Sequence, residues 1–505
     1  MAHYHNPSSI TDASGGQKLI NLVRGWPSPH LLPADLLKRA ASSALTDPGI
    51  FVPGLQYGPD VGYEPLRREL AVWLARNYTG RQQGEEELER ETERLCITGG
   101  ASQSVACILQ SFTDPGYTEA IWLVAPCYFL ACPIFEDAGF GGGEVGGKGG
   151  RLRAVPEDEE GIDVEFLERE IKRVDMDMRE SPGPVYKNPG PHRKLYRHIV
   201  YVVPTCANPS GKTMPLKRRE ALVRLAREHD ALVICDDVYD FLQWPTALPA
   251  TGTATTPTET VPVDLPPPLP RLSDIDLALG RTEFDVEGKH FGHAISNGSF
   301  SKLVGPGVRT GWVHGTADFA HGLSQTGSTR SGGAPSQLCA VILTEMLKNG
   351  DLDEHLRGKV RPDLQGRHSA IVREVEMELG GCGVEVYESK EKLGGGYFVW
   401  LTLPEGTAAD EVAQKAKTEE NLIIAPGSIF QVARDEEAAK FDRNIRLCYS
   451  WEERADVVEG VRRLGRVLRR MYDERKKGEE GEEGRVISKG GQEKEEEEFG
   501  TAEFK

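Results

Sequence analysis

The chain has 505 residues, a formal net charge of −18 at pH 7 and 39% hydrophobic residues. That length allows about two to four domains, each with its own core, and no apolar run reaches the ~18 residues that a membrane-spanning helix needs. The acidic balance excludes general nucleic-acid binding, because a polyanion is repelled, although much of the charge lies in the tail.

Met1-Ala2-His3-Tyr4-His5-Asn6-Pro7 has neither a basic n-region nor an apolar h-region, so neither a secretory signal nor an Arg-rich transit peptide is expected. Residues 1–18 read as a flexible N-terminus. Leu19 to Pro27 reads as a short extended segment. Pro33 starts a helix through Ala40, with proline at an early helical position. Leu55 to Tyr63 is a glycine-rich loop that feeds the amphipathic stretch Pro65 to Leu74.

From about residue 95 apolar strands alternate with amphipathic helices. Strands are expected at 95–98, 120–124, 152–155, 198–203, 231–235 and 293–296, and helices at 102–110, 164–171 and 216–229. That alternation implies an α/β fold with a parallel sheet covered on both faces. Ligands bind such sheets beyond the carboxyl ends of the strands. Two polar or Thr/Pro-rich insertions, 175–195 and 246–270, read as exposed loops. After residue 330 a helical region leads to strands at 396–403 and 446–449, a second, α+β unit, and to a last helix from Glu452 to Tyr472. Glu493-Lys494-Glu495-Glu496-Glu497-Glu498 belongs to an acidic tail expected to be disordered from 474 onward.

Nine cysteines, at 96, 107, 127, 132, 206, 235, 339, 382 and 448, form no C-x-x-C, and several lie in apolar runs. They read as buried, reduced thiols of a cytoplasmic protein.

Several motifs fail in context. Gly141-Gly142-Gly143-Glu144-Val145-Gly146 matches G-x-G-x-x-G, and Gly142 to Lys148 most of a P-loop. Neither follows a convincing strand, and Gly149 stands where a magnesium-binding hydroxyl belongs. Ser299-x-x-Lys302 matches S-x-x-K, but the chain has no S-D-N or K-T-G partner. No H-E-x-x-H supports metal catalysis.

One stretch organises the remainder: Ser299-Phe300-Ser301-Lys302-Leu303-Val304-Gly305-Pro306-Gly307-Val308-Arg309-Thr310-Gly311-Trp312. Taken alone, Lys302 is a solvated lysine on a loop or a Schiff-base nucleophile. An aldehyde cofactor with a pyridine ring and a phosphate, if held there, needs a carboxylate at the ring nitrogen, donors at the ring oxygen, an aromatic face and a phosphate cradle. Asp236 and Tyr239 follow the strand 231–235, where an acidic turn is the plainer reading. Asn208, in Ala207-Asn208-Pro209-Ser210-Gly211, follows 198–203, and alone that segment is a turn. Gly99-Gly100-Ala101-Ser102 joins a strand to a helix and suits a phosphate, with Arg309, Ser299 and Ser301 as further donors. Tyr128 follows 120–124 as a ring partner or a core aromatic.

The joint placement of these motifs after successive strands resembles the class I/II aminotransferase family of fold-type I pyridoxal-phosphate enzymes. Within it the chain resembles the branch of 2-aminoadipate, kynurenine and aromatic aminotransferases. The similarity covers about residues 19–473. It implies a three-layer αβα large domain at 51–325 with a mostly parallel sheet. A smaller α+β domain is built from residues 19–50 and 326–473. It implies pyridoxal 5'-phosphate on Lys302, Asp236 at the ring nitrogen, and Asn208 and Tyr239 at the ring oxygen. Tyr128 is implied on the ring, and Gly100, Ala101, Ser102, Ser299, Ser301 and Arg309 at the phosphate. Tyr57 is implied to reach the phosphate of a neighbouring subunit in a homodimer with shared sites. Arg446 would grip the substrate α-carboxylate, and Gly25 would belong to a mobile segment over the substrate. Ala207 and Ser210 depart from the commoner Q/H-N-P-T-G. The expected activity is ping-pong transfer of an amino group from an L-amino acid to a 2-oxo acid, with 2-aminoadipate or aromatic donors and 2-oxoglutarate. The same apparatus also serves C–S lyases and aminocyclopropane-carboxylate-synthase-like enzymes. A non-catalytic, cofactor-binding regulator is the remaining alternative.

Overall fold

A computed structural model of the chain describes residues 17–141, 151–179, 184–246, 268–286, 288–390 and 392–482. The glycine-rich run at 142–148, most of the 246–270 insertion, residues 1–16 and the tail beyond 482 lie outside the described residues.

Eight strands form one sheet: β1 (Leu95–Thr98), β2 (Ala120–Ala125), β3 (Leu152–Asp158), β4 (Gly161–Ile162), β5 (His198–Val202), β6 (Ala231–Asp236), β7 (Ala294–Ser299) and β8 (Gly311–His314), in the order β1-β8-β7-β6-β5-β2-β3-β4. The pairs β3–β2, β2–β5, β5–β6 and β6–β7 are parallel. Only β8 and the short β4 run against their neighbours. A parallel strand buried on both faces must be apolar throughout, and Ala231 to Cys235 are each 0% exposed. Alternate residues serve opposite faces. Ile121 and Leu123 join a core with Val105, Ile108 and Phe112 of the helix Ala101–Phe112. Ala120 and Trp122 join another with Leu167 and Ile171 of the helix Val164–Arg179 and Leu222 and Val223 of the helix Leu216–Glu228. The expected three layers are therefore present.

The second unit is an antiparallel sheet of β9 (Glu385–Val386), β10 (Phe398–Thr402), β11 (Ala425–Pro426) and β12 (Asn444–Cys448), in the order β9-β10-β12-β11. The early segment Ile20–Asn21 pairs in parallel with Leu422–Ile423, and Ile20 and Leu22 share a core with Leu447, Val457 and Val461. The first residues of the described chain thus pack with its last helix. Among the described residues no helix is long and apolar enough to cross a membrane.

Three helices outrun their expected ends; the first, Ala34–Thr46, passes Ala40 because it still buries Ala44. Val164–Arg179 passes 171 into the 175–195 segment because it still buries Val174 and Asp175. Asp175 faces His198 at 3.1 Å, His229 at 3.1 Å and Arg197 at 3.2 Å. Glu119, Asp175 and His198 stand close enough to suggest a metal site. However, Trp122 Nε1 donates to His198 Nδ1 at 3.3 Å, which leaves the proton on Nε2, facing Asp175. Arg197 already neutralises both carboxylates, so this is an ion-pair network.

The last helix, Arg454–Glu482, runs past its expected end at Tyr472 and takes in residues 474–482 of the segment expected to be disordered. Lys and Glu favour helix, and Arg475 donates to Thr407 at 3.2 Å. The short helices Pro48–Gly54, Glu85–Glu93 and Leu272–Leu279 were not expected.

Leu222 is 0% exposed and Leu216, on the same helix, 38% exposed. Leu222→Ala is expected to cost about 2–5 kcal/mol through lost transfer energy and a cavity, and Leu216→Ala about 0.5 kcal/mol or less, read from urea midpoints at constant m-value.

Candidate active site

The lysine loop leaves β7 and folds back at once. Val304 N donates to Phe300 O at 2.8 Å and Leu303 N to the same oxygen at 3.1 Å. The turn aims Lys302 inward, where Nζ donates to Gly25 O at 2.6 Å. The ring centre of Tyr397 is 5.1 Å from Nζ and that of Tyr239 6.0 Å. Desolvation disfavours the ammonium and lowers the lysine pKa to about 8, with Asp236 opposing. A fair fraction of free amine is then present near neutrality. Gly25 is tightly packed, for a Cβ there would lie 2.9 Å from the Phe398 ring.

Asp236 ends β6, buried at 8% exposure. Its Oδ2 accepts from the Tyr201 hydroxyl at 2.6 Å. Its Oδ1 is buried and has no partner among the described residues. Burial pushes the carboxyl up to about 6, against the Tyr201 bond and the positive Lys302. Tyr239 is buried, its hydroxyl pKa raised by desolvation, with its ring 5.5 Å from that of Tyr397. Tyr128 is half-buried after β2, its phenol pushed up to about 12 by burial and, next, by the charge of Asp236.

Arg446 lies in β12 between Trp400 of β10 and Ala425 of β11. Its Nη1 donates to Asn208 Oδ1 at 2.8 Å and its Nη2 to Val23 O at 2.6 Å. The guanidinium carbon sits 4.1 Å from the Phe398 ring centre and 4.8 Å from that of Phe430. Burial in this aromatic clamp lowers the arginine pKa to about 10, and Nε is buried without a partner.

The other end of the site is a backbone cradle. Gly100 precedes the helix Ala101–Phe112 with φ 102° and offers no side-chain cap, so the first N–H groups of the helix stay free for an anion. A Cβ on Gly100 would lie 2.7 Å from Arg309 Nη2. That same Nη2 donates to Gly99 O at 2.7 Å. Ser299 Oγ donates to Ser301 Oγ at 2.9 Å, and Asn297 Nδ2 to Ala101 O at 3.1 Å. Ser102 is exposed at the start of the helix and Ala101 half-buried. Gly311 pairs with Thr98 on one side and Ser299 on the other, which ties the lysine loop to the cradle.

The structure therefore groups Lys302, Asp236, Tyr239, Tyr128, Asn208, Arg446 and Gly25 beside the cradle of Gly100, Ala101, Ser102, Ser299, Ser301 and Arg309. Tyr57 is the exception: it is 88% exposed, and the Cβ position of Gly332 lies 3.0 Å from its ring. Sequence reasoning missed Tyr201, Tyr397 and the pair Phe398 and Phe430. Tyr201 had a signal. It pairs with Ile234, so it shares a face with Asp236 two residues on. The clamp had none, because its residues come from separate elements of the second unit.

These groups fit pyridoxal phosphate. The open Oδ1 of Asp236 suits a ring N–H, the bare helix N-terminus with Arg309 suits a phosphate, and Lys302 is the amine for its aldehyde.

Residues 30–464 match the family of class I and II aminotransferases. An uncharacterized protein of Saccharomyces cerevisiae is 33% identical over 469 residues, 90% of this chain and 97% of that protein. A 2-aminoadipate transaminase of Thermus thermophilus is 28% identical, covering 89% of this chain and 90% of that one. The crystal structure of LysN, an alpha-aminoadipate aminotransferase of Thermus thermophilus complexed with N-(5'-phosphopyridoxyl)-L-leucine, superposes with a TM-score of 0.64 at 27% identity, covering 90% of this chain and 93% of that one. The chain belongs to the class I and II aminotransferases and is a pyridoxal-phosphate-dependent transaminase.

Proposed function

We propose that Lys302 holds the pyridoxal phosphate and moves the proton at the substrate Cα. Asp236 faces the ring nitrogen, Asn208 and Tyr239 the ring oxygen, and Tyr128 the ring face. Arg446, with Asn208, takes the α-carboxylate. The observation that carries this reading is the buried, unsatisfied Oδ1 of Asp236 near the depressed-pKa Lys302. When bound, the cofactor supplies an electron sink for the Cα carbanion.

The protein's own groups do the rest. Lys302 Nζ, with its ammonium destabilised by burial, serves as general base and then acid. Arg446 presents a planar fork to a carboxylate, and its aromatic clamp excludes water. An incoming carboxylate displaces the Val23 carbonyl from Nη2, so the segment of Val23 and Gly25 moves as substrate enters.

The 2-aminoadipate and aromatic aminotransferase relatives support 2-aminoadipate or an aromatic amino acid as donor. The acceptor in this reading is 2-oxoglutarate, and each half-reaction releases one product before the next substrate binds. Tyr57, exposed near Val52 and Leu55 at 52% and 59%, supports a homodimer in which Tyr57 reaches the partner's phosphate. Free thiols at all nine cysteines support a reducing, cytoplasmic location.

Lys302→Ala is expected to lower turnover by roughly 10⁴-fold or more, measured with a panel of amino donors as loss of the enzyme-bound cofactor absorbance. Normal turnover would sink the assignment. Arg446→Ala is expected to lower kcat/KM by on the order of 10²-fold, through loss of two charge-assisted hydrogen bonds. An unchanged value would remove its carboxylate role. Sedimentation should give twice the 55.5 kDa chain mass, and Tyr57→Ala should weaken cofactor binding roughly tenfold. A monomer that binds cofactor normally would contradict the shared site.

A further inference from the structure

Glu157, Ser210 and Lys212 form a charged cluster that none of these roles uses. Glu157 lies near the end of β3. Its side chain is 6% exposed and that of Lys212 15%, with Oε1 and Nζ 3.1 Å apart. Its Oε2 accepts from Ser210 Oγ at 3.0 Å. Both partners belong to the turn Asn208-Pro209-Ser210-Gly211-Lys212, two and four residues beyond the asparagine that meets Arg446.

The turn is internally closed. Gly211 N donates to Ala207 O at 2.7 Å, and Ala207 N to Lys212 O at 2.9 Å. Its base is tied by Met214 N to Pro204 O at 2.8 Å and by Arg219 Nη2 to Thr205 Oγ1 at 2.9 Å. Such a turn moves as a unit, so its orientation depends on what grips it from outside. Packing does not do so completely. A cavity lies against it, lined on the cofactor side by Tyr128, Tyr201 and Asn208 and elsewhere by Glu157, Lys212 and Met214. Glu157 is also not on a neighbouring strand, since β2 separates β3 from β5. It reaches past the end of β2 to hold the turn.

We infer that Glu157 is a positioning residue for Asn208: by gripping Ser210 and Lys212 it holds the Asn208 amide with Oδ1 on Arg446 and Nδ2 free for the cofactor's ring oxygen. Burial pushes the Glu157 carboxyl up to about 7, against the ammonium of Lys212 and the hydroxyl of Ser210 that both meet it. The ion pair fixes direction as well as distance, which a neutral packing contact across a cavity does not. This inference rests on the ring-oxygen role of Asn208.

The test uses the full-length enzyme loaded with pyridoxal phosphate, in wild-type, Glu157→Gln, Asn208→Ala and doubly substituted forms. The readouts are the pH midpoint of the bound cofactor's visible absorbance and kcat/KM for one good donor. Glu157→Gln is expected to move the midpoint in the same direction as Asn208→Ala, by a smaller amount, and to lower kcat/KM about tenfold. In the Asn208→Ala background it should have no further effect on either readout, since the two act as one unit. A midpoint unmoved by Glu157→Gln, or effects that add in full in the double variant, would overturn the role of Glu157 alone. A midpoint unmoved by Asn208→Ala would overturn the ring-oxygen role and this inference with it. Ser210→Ala, which removes one grip and no charge, gives the same comparison if Glu157→Gln does not fold.

Discussion

The active site depends on a carboxylate kept in a dry place with half of its hydrogen-bonding capacity unused. Asp236 ends a strand whose preceding residues are wholly buried, and among the described residues only Tyr201 meets one of its oxygens. A buried acceptor without a partner carries the full desolvation penalty, about 1–3 kcal/mol and more for a charged group. The fold bears that cost because β6 is central and rigid. In the proposed role of Asp236, a protonated pyridine nitrogen would remove the cost and gain an ion pair. On that proposal the site is preorganised, and part of the cofactor's affinity would come from relieving a penalty that folding has already met.

The two cations of the site show complementary logic. Lys302 and Arg446 both lie among aromatic rings, and burial weakens the charged form of each. Both borrow backbone carbonyls from the same early segment, Gly25 for the lysine and Val23 for the arginine. Those bonds keep two buried cations satisfied, and in the proposed role of Arg446 a substrate carboxylate, which carries a full charge, would replace a neutral carbonyl with a stronger partner. In that proposal substrate entry and displacement of the segment would be one exchange of hydrogen bonds. The segment is tied on either side of these carbonyls, by Leu22 N to Ile423 O at 2.9 Å and Cys448 N to Leu22 O at 2.7 Å before them and by Ser450 Oγ to Trp26 O at 2.7 Å after them, so the exchange calls for a local shift between those ties.

Much of this was legible in the sequence, and unevenly so. Strands of the large sheet announce themselves because burial on both faces forces continuous apolar runs such as Ala231 to Cys235. Residues mounted at their carboxyl ends, Asp236, Asn208, Tyr128 and Lys302, each read alone as a turn, a core aromatic or a solvated lysine, and only their joint placement and the family resemblance singled them out. Groups that act across the sheet were harder. Tyr201 looked like another core residue until its register with Ile234 placed it beside Asp236. Phe398 and Phe430 could not be joined to Arg446 from periodicity, since β10, β12 and the loop after β11 meet only in the folded second unit. Helix ends were misjudged where charge replaced apolar spacing. Asp175 extends one helix by holding two histidines, and Arg475 helps to anchor another through Thr407.

What finally makes a site of these parts is the one reversed strand inside the sheet. β8 runs against both β1 and β7, so Gly311 sits opposite Thr98 and Ser299 at once. A side chain is not tolerated there, because a Cβ on Gly311 would lie 2.5 Å from Gly298 O and 3.0 Å from Gly100. The glycine pulls together the loop that bears Lys302 and the loop of Gly99 and Gly100, the proposed phosphate cradle. Arg309, two residues before it and at φ 45°, is swung onto Gly99 by the same approach. A cofactor joined covalently at one end and electrostatically at the other needs those two anchors at a fixed separation, and a backbone ladder sets that separation more rigidly than side-chain contacts do.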